Sequence, residues 1–113
     1  MRKNIGFLVR SLNEERWIGH CLQSIINFEN QNNVNAKIVV VDNESDDNTL
    51  KIVKMFKEKV DVITIERNKY TPGIALNAGI SRLKEKHSVD SVCIISAHCV
   101  IDNFSMKNIE QYL

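Results

Sequence analysis

The sequence predicts an α/β fold: a Rossmann-like three-layer αβα sandwich with a mainly parallel sheet. Short apolar runs alternate with segments of helical periodicity in the order βαβαβαβ, and crossovers of helical length are typical of parallel strands. The clearest run, Ile-Val-Val-Val at 38–41, shows no polar alternation, which is the pattern of a strand buried on both faces. A parallel sheet with helices on both sides accounts for both observations.

The first strand is predicted at 5–9, and a helix follows it. Two glutamates directly after Asn13 open that helix, with Asn13 as its N-cap, and apolar residues keep a helical period to about residue 28. The segment 29–35 is rich in asparagine. It is predicted to be a loop because it is too polar to pack.

The second strand ends on Asp42, and the second helix is predicted over 46–58. Serine at an N-cap with acids in the first turn is common helix chemistry, so Ser45, Asp46 and Asp47 are assigned to the start of this helix. Asp42 lies outside that capping frame. Because open parallel sheets bind ligands beyond the carboxyl ends of their strands, Asp42 is the acid predicted to be functional.

The third strand is predicted at 60–65 and is less deeply buried than its neighbours, because its apolar residues partly alternate with polar ones. The third helix is predicted over 73–86, with Thr71 as its cap and Pro72 at the first helical position. The remaining elements are a fourth strand at 91–95 and a short helix that ends at Tyr112.

Composition limits the class of protein. The chain has 113 residues, which is the size of one domain. Its net charge of +1 gives no field that would attract nucleic acid or anionic lipid, and its apolar runs are too short to span a bilayer. The three cysteines show no CxxC spacing, so reduced thiols in a cytoplasmic protein are expected.

Polar residues follow each predicted strand. Because parallel strands end at the same edge of a sheet, these segments should meet, and that edge is where a ligand should bind. The segments are Arg10-Ser11-Leu12-Asn13, Asp42-Asn43, Arg67-Asn68 and Ser96-Ala97-His98.

The strand ends lack the glycine-rich motifs that cradle phosphates. Neither GxGxxG nor GxxxxGK[ST] occurs. A phosphate would therefore need side-chain cations or a metal, and Arg10, Arg67 and Lys69 are available cations. The carboxylate of Asp42 is better suited to accept hydrogen bonds from a base or a ribose.

Three segments, in order along the chain, carry a family resemblance. Arg-Ser-Leu-Asn-Glu-Glu at 10–15 is similar to Pro-Thr-Tyr-Asn-Glu-Glu, and Val-Val-Asp-Asn-Glu-Ser-Asp-Asp-Asn-Thr at 40–49 is similar to Val-Val-Asp-Asp-Gly-Ser-Thr-Asp-Asn-Thr. Pro-Gly-Ile-Ala-Leu-Asn-Ala-Gly-Ile at 72–80 resembles Gly-Pro-Gly-Ala-Ala-Arg-Asn-Xaa-Gly-Ile. The chain thus resembles the N-terminal, nucleotide-sugar-binding half of a family 2 glycosyltransferase with the GT-A fold.

The resemblance implies a partner and a function. The partner is a nucleoside-diphosphate sugar, whose sugar is transferred to an acceptor hydroxyl in cell-surface polysaccharide biosynthesis, in the cytoplasm or at the inner face of a membrane. Ser11 and Asp42 would contact the nucleoside, with Asp42 pairing with the base, and Arg67 and the region of Asn77 would lie near the diphosphate or sugar. The full set of expected binding residues is Ser11, Asn13, Glu14, Asp42, Asn43, Arg67, Asn77, Ser96 and His98.

One departure from the family pattern concerns the metal. The family's Asp-Xaa-Asp motif, which holds a divalent cation on the diphosphate, aligns with Ser96-Ala97-His98. His98 could bind Mn²⁺ or Mg²⁺ through its imidazole, although Mg²⁺ prefers oxygen ligands. It could equally contact the diphosphate directly, and the sequence leaves both roles open.

The other departure is length. In the family, the acceptor site and the catalytic base come from a later segment. Nothing in the sequence supports Asp102 as that base. Residues 1–113 are therefore expected to be the nucleotide-sugar-binding domain of a truncated chain, inactive alone, whose exposed apolar surface would favour self-association. The alternative is a catalytically inactive nucleotide-binding or assembly module with the same fold. A methyltransferase is disfavoured because no glycine-rich turn follows the first strand.

Overall fold

The computed structural model describes residues 2–100, which form one parallel sheet with helices on both faces. Its strands are β1 (Asn4–Ser11), β2 (Asn35–Asp42), β3 (Val60–Thr64) and β4 (Ser91–Ser96). Its helices are α1 (Ile18–Asn32), α2 (Thr49–Lys54) and α3 (Pro72–His87), and single 3-10 turns lie at Lys57–Lys59 and Arg67–Lys69. The helix predicted to end at Tyr112 lies outside the described residues.

The strand order places β1 between β2 and β4 at the edge where ligand binding is predicted. The order is β3-β2-β1-β4, and every neighbouring pair is parallel. The chain steps from β1 to β2 to β3 in one direction and then returns to the other side of β1. Such a reversal opens a crevice at the carboxyl ends of the two strands that flank it. Here those strands are β1 and β4, where Arg10 pairs in register with Ser96.

The sheet is buried on both sides, which confirms the three-layer prediction. Ile5, Phe7 and Val9 of β1 pack with α1 and α2 in one cluster, whereas Leu8 packs with Ala75 and other residues of α3 in the second. The same alternation on β2 explains why the run 38–41 is apolar throughout, since successive side chains enter opposite cores.

The start of α3 follows its predicted capping signal. The hydroxyl of Thr71 accepts a hydrogen bond of 3.1 Å from the backbone N–H of Ile74, and Pro72 is the first helical residue. The cap satisfies one of the N–H groups that a helix N-terminus leaves without a partner.

The predicted start of α1 is wrong. The helix begins at Ile18, and Asn13 is not its N-cap but adopts a left-handed φ of 52°. Backbone N–H groups that would open a helix instead donate to the segment that follows β2, as when Glu14 donates to Oγ1 of Thr49, the first residue of α2, at 2.8 Å. Tertiary hydrogen bonds therefore displace the helix start by about one turn.

The prediction of a loop at 29–35 is also wrong over its first half, because α1 continues to Asn32 and ends at the left-handed Asn33. The polar residue Glu29 is buried: its carboxylate accepts a hydrogen bond of 2.8 Å from the backbone N–H of Ala36 and pairs with Lys59. Burial by itself would raise the pKa of Glu29, but these two partners outweigh it and the pKa is lowered. Because the Glu29 carboxylate has these partners, the polar segment that contains it can pack against the sheet as part of α1.

A second ion-pair cluster ties β3 to the end of α3. The carboxylate of Asp61 accepts from Arg82 Nη1 at 2.8 and 2.9 Å, and Lys86 Nζ and His87 Nε2 lie 3.4 and 3.3 Å from it. Burial opposes ionisation of Asp61, yet the hydrogen bonds from Arg82 and His87 and the charge of Lys86 lower its pKa.

This cluster predicts a pH dependence of stability. Because the pKa of Asp61 is lower in the folded chain than its ordinary 3.8, its contribution is complete above that value and is lost as the pH falls through the folded pKa. Asp61→Asn should reduce the free energy of unfolding at pH 7 by about 1 kcal/mol, because it removes the charge that pairs with Arg82. The effect stays small because solvent partly screens Arg82. Urea unfolding at pH 7 and pH 3 measures how much free energy of unfolding is lost on acidification. This loss should be smaller for Asp61→Asn than for the wild type, and the exposed control Glu85→Gln should lose as much as the wild type.

Candidate functional site

Asp42 is buried at the edge of the sheet where the sequence predicts ligand binding. Its side chain is fully buried at the carboxyl end of β2, in register with Ser11 of β1. Oδ1 accepts hydrogen bonds of 2.6 Å from the hydroxyls of Ser11 and Ser45, and Oδ2 accepts one of 2.8 Å from the backbone N–H of Ser45. One carboxylate therefore joins the ends of two strands to the loop that follows β2.

The loop after β2 and the loop after β1 bind each other. The backbone N–H of Asn13 donates to Ser45 Oγ at 2.9 Å, and the Asn13 side chain accepts from the N–H of Asp46 at 2.9 Å. Glu15 accepts from the N–H of Asn48 at 3.1 Å. These bonds hold the two loops as one rigid rim.

The assignment of Ser45 and Asp46 to helix capping is wrong, because α2 begins at Thr49 and they belong to this rim. Asp47 keeps a capping role: its Oδ1 accepts a hydrogen bond of 2.9 Å from the backbone N–H of Thr49. Burial opposes ionisation of Asp47 slightly, but the hydrogen bonds from Thr49 and Glu15 lower its pKa.

The end of β4 joins the rim through His98. Its Nδ1 lies 3.0 Å from Ser96 Oγ and 3.4 Å from Glu14 Oε1. The pair offers one imidazole and one carboxylate, and residues 2–100 hold no group of three histidine, cysteine, aspartate or glutamate side chains placed for a metal ion. The described donors therefore do not assemble a metal site, and a metal role for His98 stays a prediction.

A cleft of about 220 Å³ opens between the ends of β1 and β4, at the reversal of strand order. Two atoms that are buried at this cleft, Arg10 Nε and Asn43 Oδ1, have no hydrogen-bond partner within residues 2–100. Buried polar atoms in proteins are nearly always paired. Because both residues line the cleft, a ligand bound there is one source of partners for this donor and this acceptor. The cleft is lined by Arg10, Ser11, Leu12, Glu14, Asn43, Tyr70 and Ser96.

A larger cavity, of about 560 Å³, lies along α3 and is lined by Ser81, Arg82, Glu85 and neighbours. It contains neither of the unpartnered atoms, and Arg82 is already paired with Asp61. The smaller cleft is therefore the better candidate site.

Two predicted residues lie away from the cleft. Arg67 is exposed and pairs with Asp46 at 3.2 Å, which connects it to the rim only indirectly. Asn77 is exposed on α3 and does not line the cleft. The other seven predicted residues meet at the rim or in the cleft: Ser11, Asn13, Glu14, Asp42, Asn43, Ser96 and His98.

The expected set omitted Ser45, Tyr70 and Arg10. Ser45 was assigned to a helix, although it closes the ring of hydrogen bonds around Asp42. Tyr70 follows β3, and its place after a strand end was the signal that could have included it. Arg10 was considered only as an available cation, whereas the structure places it in the cleft.

The buried thiol of Cys21, which contacts the end of β4, is not a nucleophile. Burial raises the pKa of Cys21 to about 12, and Cys99 and Glu14 act in the same direction. Cys21 Sγ lies 3.9 Å from the carbonyl oxygen of Ser96, to which it donates. At neutral pH the thiol is therefore protonated and structural.

The solved structures that resemble this fold include those of S. aureus TarS. The structure of TarS 1-349 covers 99% of this chain and 31% of that chain, with a TM-score of 0.70 and 23% identity. Its complex with UDP-GlcNAc covers 99% of this chain and 30% of that one, with a TM-score of 0.68 and 23% identity. At this identity the likeness shows a shared fold, and it confirms the expected α/β architecture of GT-A type.

Sequence comparison gives the family. The poly(ribitol-phosphate) beta-glucosyltransferase of Bacillus spizizenii is 32% identical over an alignment of 111 positions, which covers 92% of this chain and 17% of that protein. The chain therefore spans only a small part of the length of the curated relative it matches. The profile described as Glycosyl transferase family 2 matches residues 7–109. With nearly its whole length matched, the chain belongs to glycosyl transferase family 2.

Proposed function

We propose that the cleft between β1 and β4 binds a nucleoside-diphosphate sugar and that the protein transfers its sugar to an acceptor hydroxyl. Family membership and the unpartnered donor and acceptor in one cleft support this proposal. A nucleoside diphosphate presents phosphate oxygens to Arg10 and base or ribose hydrogens to Asn43. The cleft at the strand reversal is the observation that carries the proposal, since that is where open α/β sheets bind nucleotides.

A uridine nucleotide is the first donor to test. TarS has been solved with UDP-GlcNAc and with UDP, and the curated relative is a glucosyltransferase named for poly(ribitol-phosphate). These names support a UDP-sugar as donor and a cell-surface polymer as acceptor. The acceptor hydroxyl would attack the anomeric carbon while the bond to the diphosphate breaks, and a base would take the hydroxyl proton.

The geometry suggests how the rim would hold the nucleoside. Three of the roughly four acceptor positions of the Asp42 carboxylate are already occupied. A direct bond from Asp42 to a base would require that a base N–H replace one serine hydroxyl, and this role stays a prediction. Asn43 Oδ1 is buried and unpartnered, so a movement of the side chain that exposes it would let it accept from the ligand without such an exchange. His98 stays a proposed contact of the diphosphate, either directly or through Mn²⁺ or Mg²⁺.

Calorimetric titration with UDP, GDP and dTDP, each with and without Mn²⁺, tests the proposal. We expect saturable binding of UDP, and Asn43→Ala should weaken it about tenfold because one hydrogen bond to the ligand is lost. The control Asn30→Ala, at an exposed position of α1, should bind UDP as the wild type does. Absence of binding to all three nucleotides would contradict the proposal. Binding of UDP without any hydrolysis or transfer from UDP-GlcNAc would favour an inactive nucleotide-binding module instead.

We also propose a cytoplasmic location, at the inner face of a membrane, where nucleotide sugars are available. The thiols of Cys21, Cys93 and Cys99 are free, as expected in a reducing compartment. Within residues 2–100, none of the helices has the length and apolar character that crossing a membrane requires. Self-association stays a prediction, and its candidate surface includes the exposed apolar side chains Leu12, Trp17, Met55, Ile74, Ile94 and Val100.

A further inference from the structure

Arg10 differs from the other arginines of the chain. It lies near the carboxyl end of β1, half-buried, and its Nε is buried without a partner within residues 2–100. No described carboxylate forms an ion pair with it. The other four arginines each contact a carbonyl oxygen, an aromatic ring or a carboxylate: Arg2, Arg16, Arg67 and Arg82.

An unpaired, partly buried guanidinium is costly for folding. A buried charge needs a counter-charge or hydrogen-bond partners, and a chain that keeps one unpaired loses stability. Arg10 has no such compensation in the described part of the chain, and it lines a cleft together with Asn43, whose buried Oδ1 is also unpartnered. The described contacts of the fold do not explain this position, whereas an anionic ligand in the cleft would.

Arg10 also lies beside the position where the chain departs from the family's metal motif. Arg10 stands where the similar family motif has proline, and Ser96 stands where the metal-binding Asp-Xaa-Asp motif begins. The two residues are register partners on adjacent strands. A permanent cation has thus appeared directly beside the position that lacks the metal-binding carboxylate.

We infer that Arg10 binds the diphosphate of the donor and supplies the positive charge that a metal ion on an Asp-Xaa-Asp motif would supply. This inference rests on the proposed function. The planar guanidinium matches phosphate geometry and stays charged at every physiological pH. Within residues 2–100, Glu14 and His98 are the metal-binding side chains in contact at this edge, and they do not form a group of three. The inference therefore predicts that the diphosphate is bound without a divalent cation.

Calorimetry with UDP in EDTA is the test. Wild-type protein should bind UDP in EDTA about as tightly as in Mn²⁺, and Arg10→Gln should weaken UDP binding by about 10- to 100-fold, because a charge-assisted hydrogen bond is lost. Arg10→Lys should retain part of the affinity, because the positive charge remains but the planar guanidinium, which can donate two parallel hydrogen bonds to a phosphate, is lost. The control Lys54→Gln, which removes an exposed charge at the end of α2, should leave UDP binding unchanged.

Thermal unfolding without ligand separates a binding role from a structural one. Removing a charge that has no partner in the folded chain should leave the unfolding temperature of Arg10→Gln equal to or above that of the wild type. A structural arginine would give a clear decrease, and that result would overturn the inference.

The outcomes also distinguish this inference from the proposed function. If the wild type binds none of UDP, GDP and dTDP, with or without Mn²⁺, both fail. If UDP binds but Arg10→Gln binds it equally well, or if binding requires Mn²⁺, only the inference about Arg10 fails.

Discussion

Asp42→Ala is expected to lower the free energy of unfolding by about 3 kcal/mol and to abolish UDP binding. The substitution removes a fully buried carboxylate that accepts three hydrogen bonds from Ser11 and Ser45. It removes the acceptor of two hydroxyls and one backbone N–H, of which the Ser11 hydroxyl is buried and the two Ser45 groups are partly buried. An unsatisfied buried donor costs about 1–3 kcal/mol before local relaxation, and a partly buried one costs less. Urea unfolding followed by circular dichroism measures the loss of stability, and calorimetry measures binding.

The matched control for this prediction is Asp46→Ala, four residues further along the same loop. The Asp46 carboxylate is exposed and contacts only Arg67, at 3.2 Å, among its charged neighbours in residues 2–100. Its removal should change the free energy of unfolding by less than about 0.5 kcal/mol. Equal effects of the two alanine substitutions would contradict the role of Asp42 as the anchor of the rim.

The sheet and its layers could be predicted from the sequence because their signals are local. The uninterrupted apolar run 38–41 requires burial on both faces, and the observed β2 supplies side chains to two cores. The Thr71-Pro72 signal likewise acts within one turn of helix, and α3 begins where that signal places it. Local chemistry was sufficient for these elements.

Capping rules failed where two loops meet. Around Asn13 and Ser45, the donors and acceptors that would start a helix bind the other loop, which is more than 30 residues away along the chain. A rule that reads only neighbouring residues assigns Ser45 to a cap, because the backbone amide of Asn13 that its hydroxyl accepts from is brought there by the fold. Tertiary hydrogen bonds thus overrode local preference at both helix starts.

The cleft was predicted only in outline. Polar residues at strand ends indicated the correct edge, but the order of the strands decides which ends are neighbours. Once β4 lies beside β1, Arg10 stands next to Ser96, and a residue noted only as one of several cations becomes the candidate partner of a phosphate. Strand order depends on long-range packing, which single segments do not encode.

The close approach of α3 to the sheet gives the second large effect. Gly79 is buried on α3, and a Cβ built on it would lie 2.3 Å from Leu8 Cδ1 and 3.2 Å from Val41 Cγ2. Leu8 and Val41 are themselves fully buried in the sheet, so neither can move aside without disturbing the second core. Glycine at this position is therefore required by packing, because only hydrogen fits between the helix and the strands.

Gly79→Ala is expected to lower the free energy of unfolding by about 2 kcal/mol. Overpacking of a well-filled core costs about 1–3 kcal/mol or more, whereas alanine gains up to about 1 kcal/mol over glycine in a helix. Because the clash is at 2.3 Å, the cost of overpacking should exceed the gain in helix propensity.

Gly19→Ala on α1 is the control that measures the gain in helix propensity alone, because its Cβ would meet only Ile52 Cγ2, at an ordinary 3.5 Å. Urea unfolding should therefore show opposite shifts, with Gly79→Ala less stable than the wild type and Gly19→Ala more stable. A stabilised Gly79→Ala would mean that α3 can move away from β1 and β2 at little cost, and that the sheet does not hold the helix in place.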